Sequence, residues 1–175
     1  RPMSRADEAA ILKFANGLAP HDLLFLRRDI RNAKVVSAWM DQIESGEIET
    51  VLAMSGDDIV GCAALITDPL SWSPHVGEVR VLVAPGARQA GLGRQLIRDV
   101  FRIAIERGLT KLIAHMTVDQ QGAIAIFEEL GFRGEALLKD HVTDGEGETH
   151  DIAILSCDPA SAARVLMAYG RGEGG

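Results

Sequence analysis

Cysteine is scarce in this chain, which has only two among its 175 residues, Cys62 and Cys157. They lie in separate apolar runs, without the C-x-x-C spacing of zinc and redox sites. Two buried, reduced thiols are therefore expected, with a nucleophilic role as the alternative, and a cytoplasmic protein is indicated. A chain of this length needs neither disulfides nor a metal to fold, and it is predicted to form one domain over residues 1–175.

Long apolar runs and an excess of positive charge are also lacking. No stretch approaches the ~20 apolar residues of a membrane helix, and no secretory signal is visible. The 18 Lys and Arg residues are outnumbered by 25 Asp and Glu, which gives a net charge of −7. This balance argues against nucleic-acid binding, which requires a cationic face. It is compatible with a cationic substrate, although solubility explains it more simply. No membrane or nucleic-acid partner is expected.

Helical and strand-like patterns follow one another in a definite order. Apolar spacing predicts a helix after Ser4, whose capping box is completed by Asp7, and one or two more helices before Gly46. Beyond Gly46 the pattern predicts β-β-β-α-β-α-β-β, with Asp119 as N-cap of the second of these helices. The predicted strands cover 48–69 as a hairpin, 75–85, 111–118, 134–142 and 149–157, and the helices cover 91–108, 119–131 and 158–170. This order indicates an α/β chain of α+β type, with a mixed, mostly antiparallel sheet and helices on both faces.

A strand-like run that ends in proline leads into the glycine-rich segment RQAGLGRQLI, residues 88–97, and then into a helix. The start of a helix carries unpaired N–H groups and a partial positive charge, which together bind anions. Gly91 and Gly93 would let an anion approach the backbone, and Arg88 and Arg94 would add charge. The run does not match a P-loop and lacks the first glycine of a dinucleotide fingerprint. It predicts an anion site, with an ordinary helix start as the alternative.

Two segments of the chain resemble the GNAT superfamily of N-acetyltransferases. The first, VLVAPGARQAGLGRQLI, is similar to the family's acyl-CoA-binding segment, through Arg88, Gly91 and Gly93. The second, QQGAIAIFEELGF, is similar to a family helix that is followed by Gly-Phe, here Gly131 and Phe132. The resemblance covers nearly all of the chain and implies a GNAT-like fold in a single acetyltransferase domain. The opening RPMSRADEAAI resembles the point where the family's first strand ends, so that strand would be truncated here.

The resemblance implies acetyl-CoA as the acyl donor and assigns it a binding site. The strand residues 81–83 would contact its pantetheine arm, and a backbone N–H near Leu82 or Val83 would polarise the thioester carbonyl. The pyrophosphate would lie on the backbone of residues 88–94, and two residues of the later helix would flank the donor. The residues implied to bind it are Val81, Leu82, Val83, Arg88, Gln89, Ala90, Gly91, Leu92, Gly93, Arg94, Gln120 and Phe127.

Direct transfer of an acyl group to a primary amine, on a small molecule or a protein, is the reaction that the resemblance implies. The amine must lose a proton, and Glu78, the carboxylate on the strand before the loop, is the candidate base. Alternation places Glu78, Arg80 and Leu82 on one face of that strand, and a glutamate that only pairs with Arg80 is the alternative. Gln120 replaces the family's usual Asn, and Phe127 stands where Tyr is common. Because phenylalanine cannot protonate a leaving thiolate, a non-catalytic acyl-CoA-binding module is the alternative function.

Histidines and tryptophans elsewhere are secondary candidates. His141 and His150, on the last predicted hairpin, are candidates for acceptor contacts, and their acidic neighbours raise a metal site as an alternative, although no metal is expected. His115 is expected to be a satisfied core or donor-side residue, and Trp39 a packed helix aromatic. Trp72 is either an acceptor-pocket residue or a packed loop aromatic. Members of this family often dimerise through terminal elements, so the resemblance leaves a homodimer open.

Overall fold

A computed structural model describes the backbone of residues 1–170 and the side chains of residues 1–164. The strands are β1 (Ile48–Ser55), β2 (Asp58–Thr67), β3 (Val76–Val83), β4 (Lys111–Thr117), β5 (Arg133–Thr143) and β6 (Thr149–Cys157). The helices are α1 (Glu8–Asn16), α2 (Ala33–Glu44), α3 (Leu92–Glu106), α4 (Gln121–Glu129) and α5 (Pro159–Gly170). Within the described residues the strands form one sheet, in the spatial order β1-β2-β3-β4-β6-β5. The order of elements predicted from the sequence is confirmed.

Neighbouring strands of the sheet are antiparallel, except that β3 and β4 run parallel. β3 stays paired with β2 from Gly77 to Val83. Its parallel pairing with β4 stops at Glu78, which lies opposite Ile113. Beyond Glu78 the two strands separate and a gap opens within the sheet, while β4 continues along β6 on its other side. The predicted mixed, mostly antiparallel sheet is confirmed.

Helices cover both faces of the sheet, as predicted. On one face α3 packs against β2 and β3, with Leu96 buried in the core. On the other face α1 and α2 contribute Ile11 and Met40 to a second core. Neighbouring β2 residues serve opposite sides, since Ala63 belongs to the first core and Cys62 to the second. The centre of the sheet is therefore buried on both faces, which explains the nearly continuous apolar run of β2.

The N-terminal helical region is shorter than the periodicity predicts. The capping box of Ser4 and Asp7 is present, but it precedes a short 3₁₀ turn, and α1 begins after that turn. Between α1 and α2 the chain makes a second 3₁₀ turn, Pro20–Leu23, rather than an α-helix. Leu23 and Ile30 are nevertheless buried in the second core. Their spacing reflects the packing of an irregular segment, so of the one or two helices predicted there only α2 forms.

The start of α4 also differs from the prediction. Gln120, not Asp119, occupies the N-cap position. The Asp119 carboxylate is instead bonded to His21, at 2.6 Å between Oδ2 and Nε2. This long-range partner replaces the predicted local cap and ties the irregular segment before α2 to the start of α4.

The first three residues run beside the outer edge of β1. Pro2 forms an antiparallel bridge with Val51. The N–H of Met3 donates to the Thr50 carbonyl at 2.8 Å. These are the contacts of an additional antiparallel strand at this edge, and they extend here over residues 1–3.

Phe132, which follows α4, is fully buried among aromatic rings. Its ring stacks on Phe101 with 5.8 Å between centroids and meets Phe127 edge-on at 4.9 Å. Phe132→Ala is expected to lower the free energy of unfolding by about 3–5 kcal/mol, because it leaves a cavity in a closed core. Urea denaturation followed by circular dichroism measures the change. Leu137→Ala, at an exposed site on β5, is the control and is expected to stay within about 0.5 kcal/mol. Equal losses for the two variants would contradict this account of the core.

Candidate functional site

The gap between β3 and β4 exposes main-chain groups of β3. Ala84, just after the strand, donates its N–H to the Val60 carbonyl of β2 at 2.9 Å. Successive residues of a strand point their N–H and C=O groups to opposite sides. Those of Val81 and Val83 therefore face the gap, and those of Leu82 face β2. Of the two N–H groups expected to polarise the thioester carbonyl, that of Leu82 is thus already directed at β2 and only that of Val83 faces the gap. The gap thus has the hydrogen-bonding groups of a strand edge with no strand beside it.

The glycine-rich loop carries the chain from β3 into α3. Gly91 is the N-cap of α3 and has a φ of 75°, a left-handed conformation that favours glycine. A Cβ on Gly93 would lie 3.9 Å from Cγ2 of Val83, so this position faces the gap. The first bond within the helix runs from the N–H of Gln95 to the Gly91 carbonyl, at 3.1 Å. The N–H groups of residues 92–94 have no partner within the helix and, with its dipole, form a candidate anion site.

The two arginines that flank the anion site are already paired with carboxylates. Arg88 Nη2 lies 2.6 Å from Asp22 Oδ2, and Arg94 Nε lies 3.0 Å from Glu129 Oε2. Both arginine side chains are partly exposed, so these pairs are weak and an incoming anion can exchange with the carboxylates at modest cost. The pairs therefore hold the positive charge in place before an anion arrives.

A cavity of about 860 Å³, called here the gap cavity, joins the β3–β4 gap to the glycine loop. It is lined by every donor-binding residue implied by the sequence except Ala90. Side chains that the sequence did not point to line it as well: Leu18, His21, Asp22, Phe25, Met116 and Asp119. Most of these belong to the irregular segment before α2 or contact it. Only the tertiary packing of that segment reveals them, since no local motif marks it.

Phe127 presents an apolar ring to the gap cavity. It is 6% exposed and packs against Phe132, so it supplies no proton donor. Two histidines line the same cavity, His21 and His115. His21 is held by its bond to Asp119. Hydrogen-bonding side chains are therefore present in the cavity where Phe127 provides none.

A second cavity, of about 820 Å³, lies on the opposite face of the sheet against α2 and is called here the helix-side cavity. Glu78, Arg80 and Leu82 line it, whereas Val81 and Val83 line the gap cavity. The alternation predicted along β3 is confirmed. Leu82 lines both cavities, so the two approach each other at this residue.

Glu78 and His115 join the two cavities. Glu78, 8% exposed, accepts hydrogen bonds from Arg80 Nε at 2.8 Å and Nη2 at 3.3 Å. Its Oε1 also lies 3.8 Å from Nδ1 of His115, which is on the gap side. Burial lowers the pKa of His115 below its ordinary value; the nearby Glu78 opposes this effect, and Arg27, Arg80 and His141 add to it. The imidazole is therefore neutral at pH 7, and a proton acceptor stands beside a buried carboxylate.

The other aromatic candidates lie elsewhere. His150 Nε2 is bonded to Asp144 Oδ2 at 2.8 Å, and its ring meets that of His21 edge-on at 5.0 Å. His141 and Trp72 are exposed. The described linings of the two cavities include none of His141, His150 and Trp72. The structure therefore does not bring these three residues together with Glu78 at either cavity.

The remaining features considered from the sequence are the reactivity of the cysteines, a metal site and a membrane helix. Burial raises the pKa of the Cys62 thiol to about 12 and that of the Cys157 thiol to about 12, so both are poor nucleophiles. No three His, Cys, Asp or Glu side chains of the described chain are grouped so that they could hold a metal ion. None of the described helices has both the length and the apolar character needed to cross a membrane.

Comparison with known proteins places these features in a family. The model of the acetyltransferase (GNAT) family matches residues 21–132. Rat N-acetyltransferase 8F1 is 30% identical over 84 residues, which are 47% of this chain and 38% of that protein. The chain therefore spans less than half the length of this curated relative.

Solved structures share the fold over almost the whole chain. A ribosomal-protein-alanine N-acetyltransferase from Brucella melitensis has a TM-score of 0.79 at 23% identity, over 90% of this chain and 98% of that one. The structure of yncA from Salmonella typhimurium, solved with its cofactor acetyl-CoA, has a TM-score of 0.76 at 20% identity, over 91% and 92% of the two chains. The family match covers more than half of the chain and includes β3, the glycine loop and α4. The chain belongs to the acetyltransferase (GNAT) family.

Proposed function

We propose that the protein is an acetyl-CoA-dependent N-acetyltransferase that transfers the acetyl group directly to a primary amine. One observation carries the proposal: a single cavity joins an unpaired strand edge at Val81 and Val83 to the anion site of residues 92–94. An elongated ligand with amide groups at one end and phosphates at the other matches this arrangement. The pantetheine and pyrophosphate of acetyl-CoA have that chemistry.

The residues of the gap cavity fit such a donor. The exposed edge of β3 would pair with the pantetheine amides, and the first turn of α3 would hold the pyrophosphate, with Arg88 and Arg94 beside it. Gln120 and Phe127 would flank the donor from α4. Acetyl-CoA supplies an activated acetyl group, whose carbonyl carbon accepts the amine as the thiolate leaves. An N–H of β3 aimed at the carbonyl oxygen, that of Val81 or Val83, would lower the activation free energy by about 2.7–4 kcal/mol.

The helix-side cavity is where the amine would bind. It approaches the gap cavity at Leu82, and Glu78 is the buried carboxylate on its wall. Glu78 would take up the proton that the amine loses on forming the amide bond. The ion pair with Arg80 positions the carboxylate. This ion pair must loosen when the carboxylate accepts a proton.

His115 would return the proton to the leaving thiolate, the role that Phe127 cannot fill. A neutral imidazole accepts a proton at one nitrogen and donates from the other. The Nδ1 of His115 lies 3.8 Å from Glu78, so a small closure or one water would connect them. A proton would then pass from Glu78 to Nδ1, and another from Nε2 to the sulfur. The same pair thus links the base in the helix-side cavity to the acid in the gap cavity.

Thermal unfolding with and without acetyl-CoA tests the donor site. A ligand at about 100 times its Kd adds about 2.7 kcal/mol, which for a domain of this size raises Tm by roughly 5–10 °C. Free CoA is expected to act like acetyl-CoA, because both carry the groups that bind, and NAD is expected to have no effect. No rise at millimolar acetyl-CoA would overturn the proposal.

Turnover separates the enzyme from a non-catalytic acyl-CoA-binding module, which Phe127 favours. Release of free CoA in the presence of a panel of primary amines, with the acetylated product identified by mass spectrometry, is expected for the enzyme. Stabilisation by acetyl-CoA without acetylation of any amine in the panel would support the binding module instead.

A further inference from the structure

Three of the described arginines line the helix-side cavity. Arg80 lines it beside Glu78, and Arg27 and Arg28 line it from the segment before α2. Arg27 is close enough to the junction of the cavities to lower the pKa of His115. Neither Arg27 nor Arg28 forms an ion pair with any side chain that the structure describes, so their charge is available to a ligand.

The acidic residues that line the same cavity are otherwise engaged. Asp41 lies 2.5 Å from Arg5 Nη2, Glu47 accepts from the Gln42 amide at 3.3 Å, and the Asp68 side chain accepts from a backbone N–H. Glu78 itself is paired with Arg80. The carboxylates of this lining are therefore held by donors while Arg27 and Arg28 pair with no described carboxylate, so an acceptor that carries an anion gains more here than one whose charges are all positive.

The rest of the lining is largely apolar. It includes Leu26, Ile30, Trp39, Ile48, Ile66 and Ile113. The indole Nε1 of Trp39 already donates to Thr50 Oγ1, at 3.2 Å. The indole therefore presents its ring to the cavity and not its hydrogen-bond donor. Such a wall stabilises an apolar substituent by burying it, and it offers few hydrogen bonds to a polar chain.

We propose, on the basis of the proposed function, that the acceptor is an α-amino acid with a large apolar side chain, whose carboxylate binds at Arg27 and Arg28. The amine would face Glu78, the carboxylate would lie on the arginines, and the side chain would enter the apolar part of the cavity. A guanidinium binds a carboxylate through paired hydrogen bonds, which gives orientation as well as charge. A polyamine lacks the anion, and a peptide N-terminus has replaced the α-carboxylate by an amide.

Acetylation rates on four matched amines test this assignment. The probes are L-phenylalanine, phenethylamine, which lacks the carboxylate, the tripeptide amide Phe-Ala-Gly-NH₂ and spermidine, each with saturating acetyl-CoA. L-Phenylalanine is expected to have a kcat/KM at least tenfold above each of the others. Arg27→Ala/Arg28→Ala is expected to remove most of this preference by raising the KM for L-phenylalanine at least tenfold. Arg102→Ala, on the exposed side of α3, is the matched control and is expected to retain the preference.

The outcomes separate this inference from the proposed function. Preferred acetylation of spermidine, phenethylamine or the tripeptide amide would overturn the inference and leave the acetyltransferase assignment standing. If the double variant loses kcat/KM equally on L-phenylalanine and on phenethylamine, the inference would also be overturned, since a carboxylate site must discriminate between the two. If acetyl-CoA binds and none of the four amines, nor any other primary amine, is acetylated, both proposals fail together.

Discussion

Gly93→Glu is expected to weaken CoA binding at least 100-fold without unfolding the protein. The new side chain would start beside Val83 and place a carboxylate among the first-turn N–H groups of α3. It would compete for these groups and repel the pyrophosphate, and each charge-assisted bond lost costs about 1.5–3 kcal/mol. The same carboxylate interacts favourably with the helix dipole, by about 0.3–1 kcal/mol. Binding and stability are therefore expected to change in opposite directions, as measured by isothermal titration with CoA and by thermal unfolding.

Gly145→Glu is the matched control for this substitution. Gly145 lies in the turn between β5 and β6, where an added Cβ would meet no neighbour within 4 Å. Gly145→Glu adds the same charge at a distance from the glycine loop. It is expected to leave the Kd for CoA within about twofold of that of the parent protein, since exposed charges beyond a Debye length are screened. Undiminished CoA binding by Gly93→Glu would remove the glycine loop from the donor site.

Glu78→Gln is expected to lower kcat/KM by about 10²–10⁴-fold, the usual contribution of a general base. The amide keeps the size of the side chain and can still contact Arg80, but it cannot take up a proton. The stabilisation by acetyl-CoA is expected to persist, because Glu78 lines the helix-side cavity and not the gap cavity. Steady-state kinetics at fixed, saturating acetyl-CoA measures the loss. Turnover within about threefold of the parent would assign the base role elsewhere.

His115 is expected to set the acidic limb of the pH profile. Its neutral form would be the active one in the proposed proton transfer, and burial lowers its pKa below the ordinary 6.5. Activity is therefore expected to be retained as the pH falls through 6.5 and to be lost only below it, as the imidazole binds a proton. His115→Gln is expected to slow turnover and remove this limb, and His115→Gln/Phe127→Tyr to recover part of the rate, because a phenol restores a proton donor. A limb that persists in His115→Gln would show that another group titrates.

The sequence predicted the parts of the site that local patterns determine. Period-two alternation placed Glu78 and Leu82 together on one face of β3, and the glycines marked the start of α3. The donor contacts of residues 81–83 followed only from the family resemblance, because no local pattern reveals where the pairing of two parallel strands stops. The pairing of Arg88 and Arg94 with carboxylates was likewise invisible, since both partners are distant in sequence.

The segment before α2 is where prediction from the sequence was weakest. Its apolar residues suggested helix, but they are spaced by their packing into the second core rather than by a helical period. Its His21 draws Asp119 away from the predicted cap, and its Arg27 lines the helix-side cavity. His115 was expected to be a satisfied core or donor-side residue and not a catalyst, because a single histidine on a strand carries no signal until its neighbours across the gap are known.

The separation of the two cavities has a consequence for the evolution of acceptor specificity. The donor would be recognised largely through main-chain groups of β3 and the first turn of α3, which many apolar sequences can supply equally well. The acceptor would meet the side chains of a segment with no regular structure, and the described linings share only Leu82. Substitutions at Leu26, Arg27 and Arg28, which line the helix-side cavity and not the gap cavity, can therefore accumulate and change the preferred amine while the donor site stays the same.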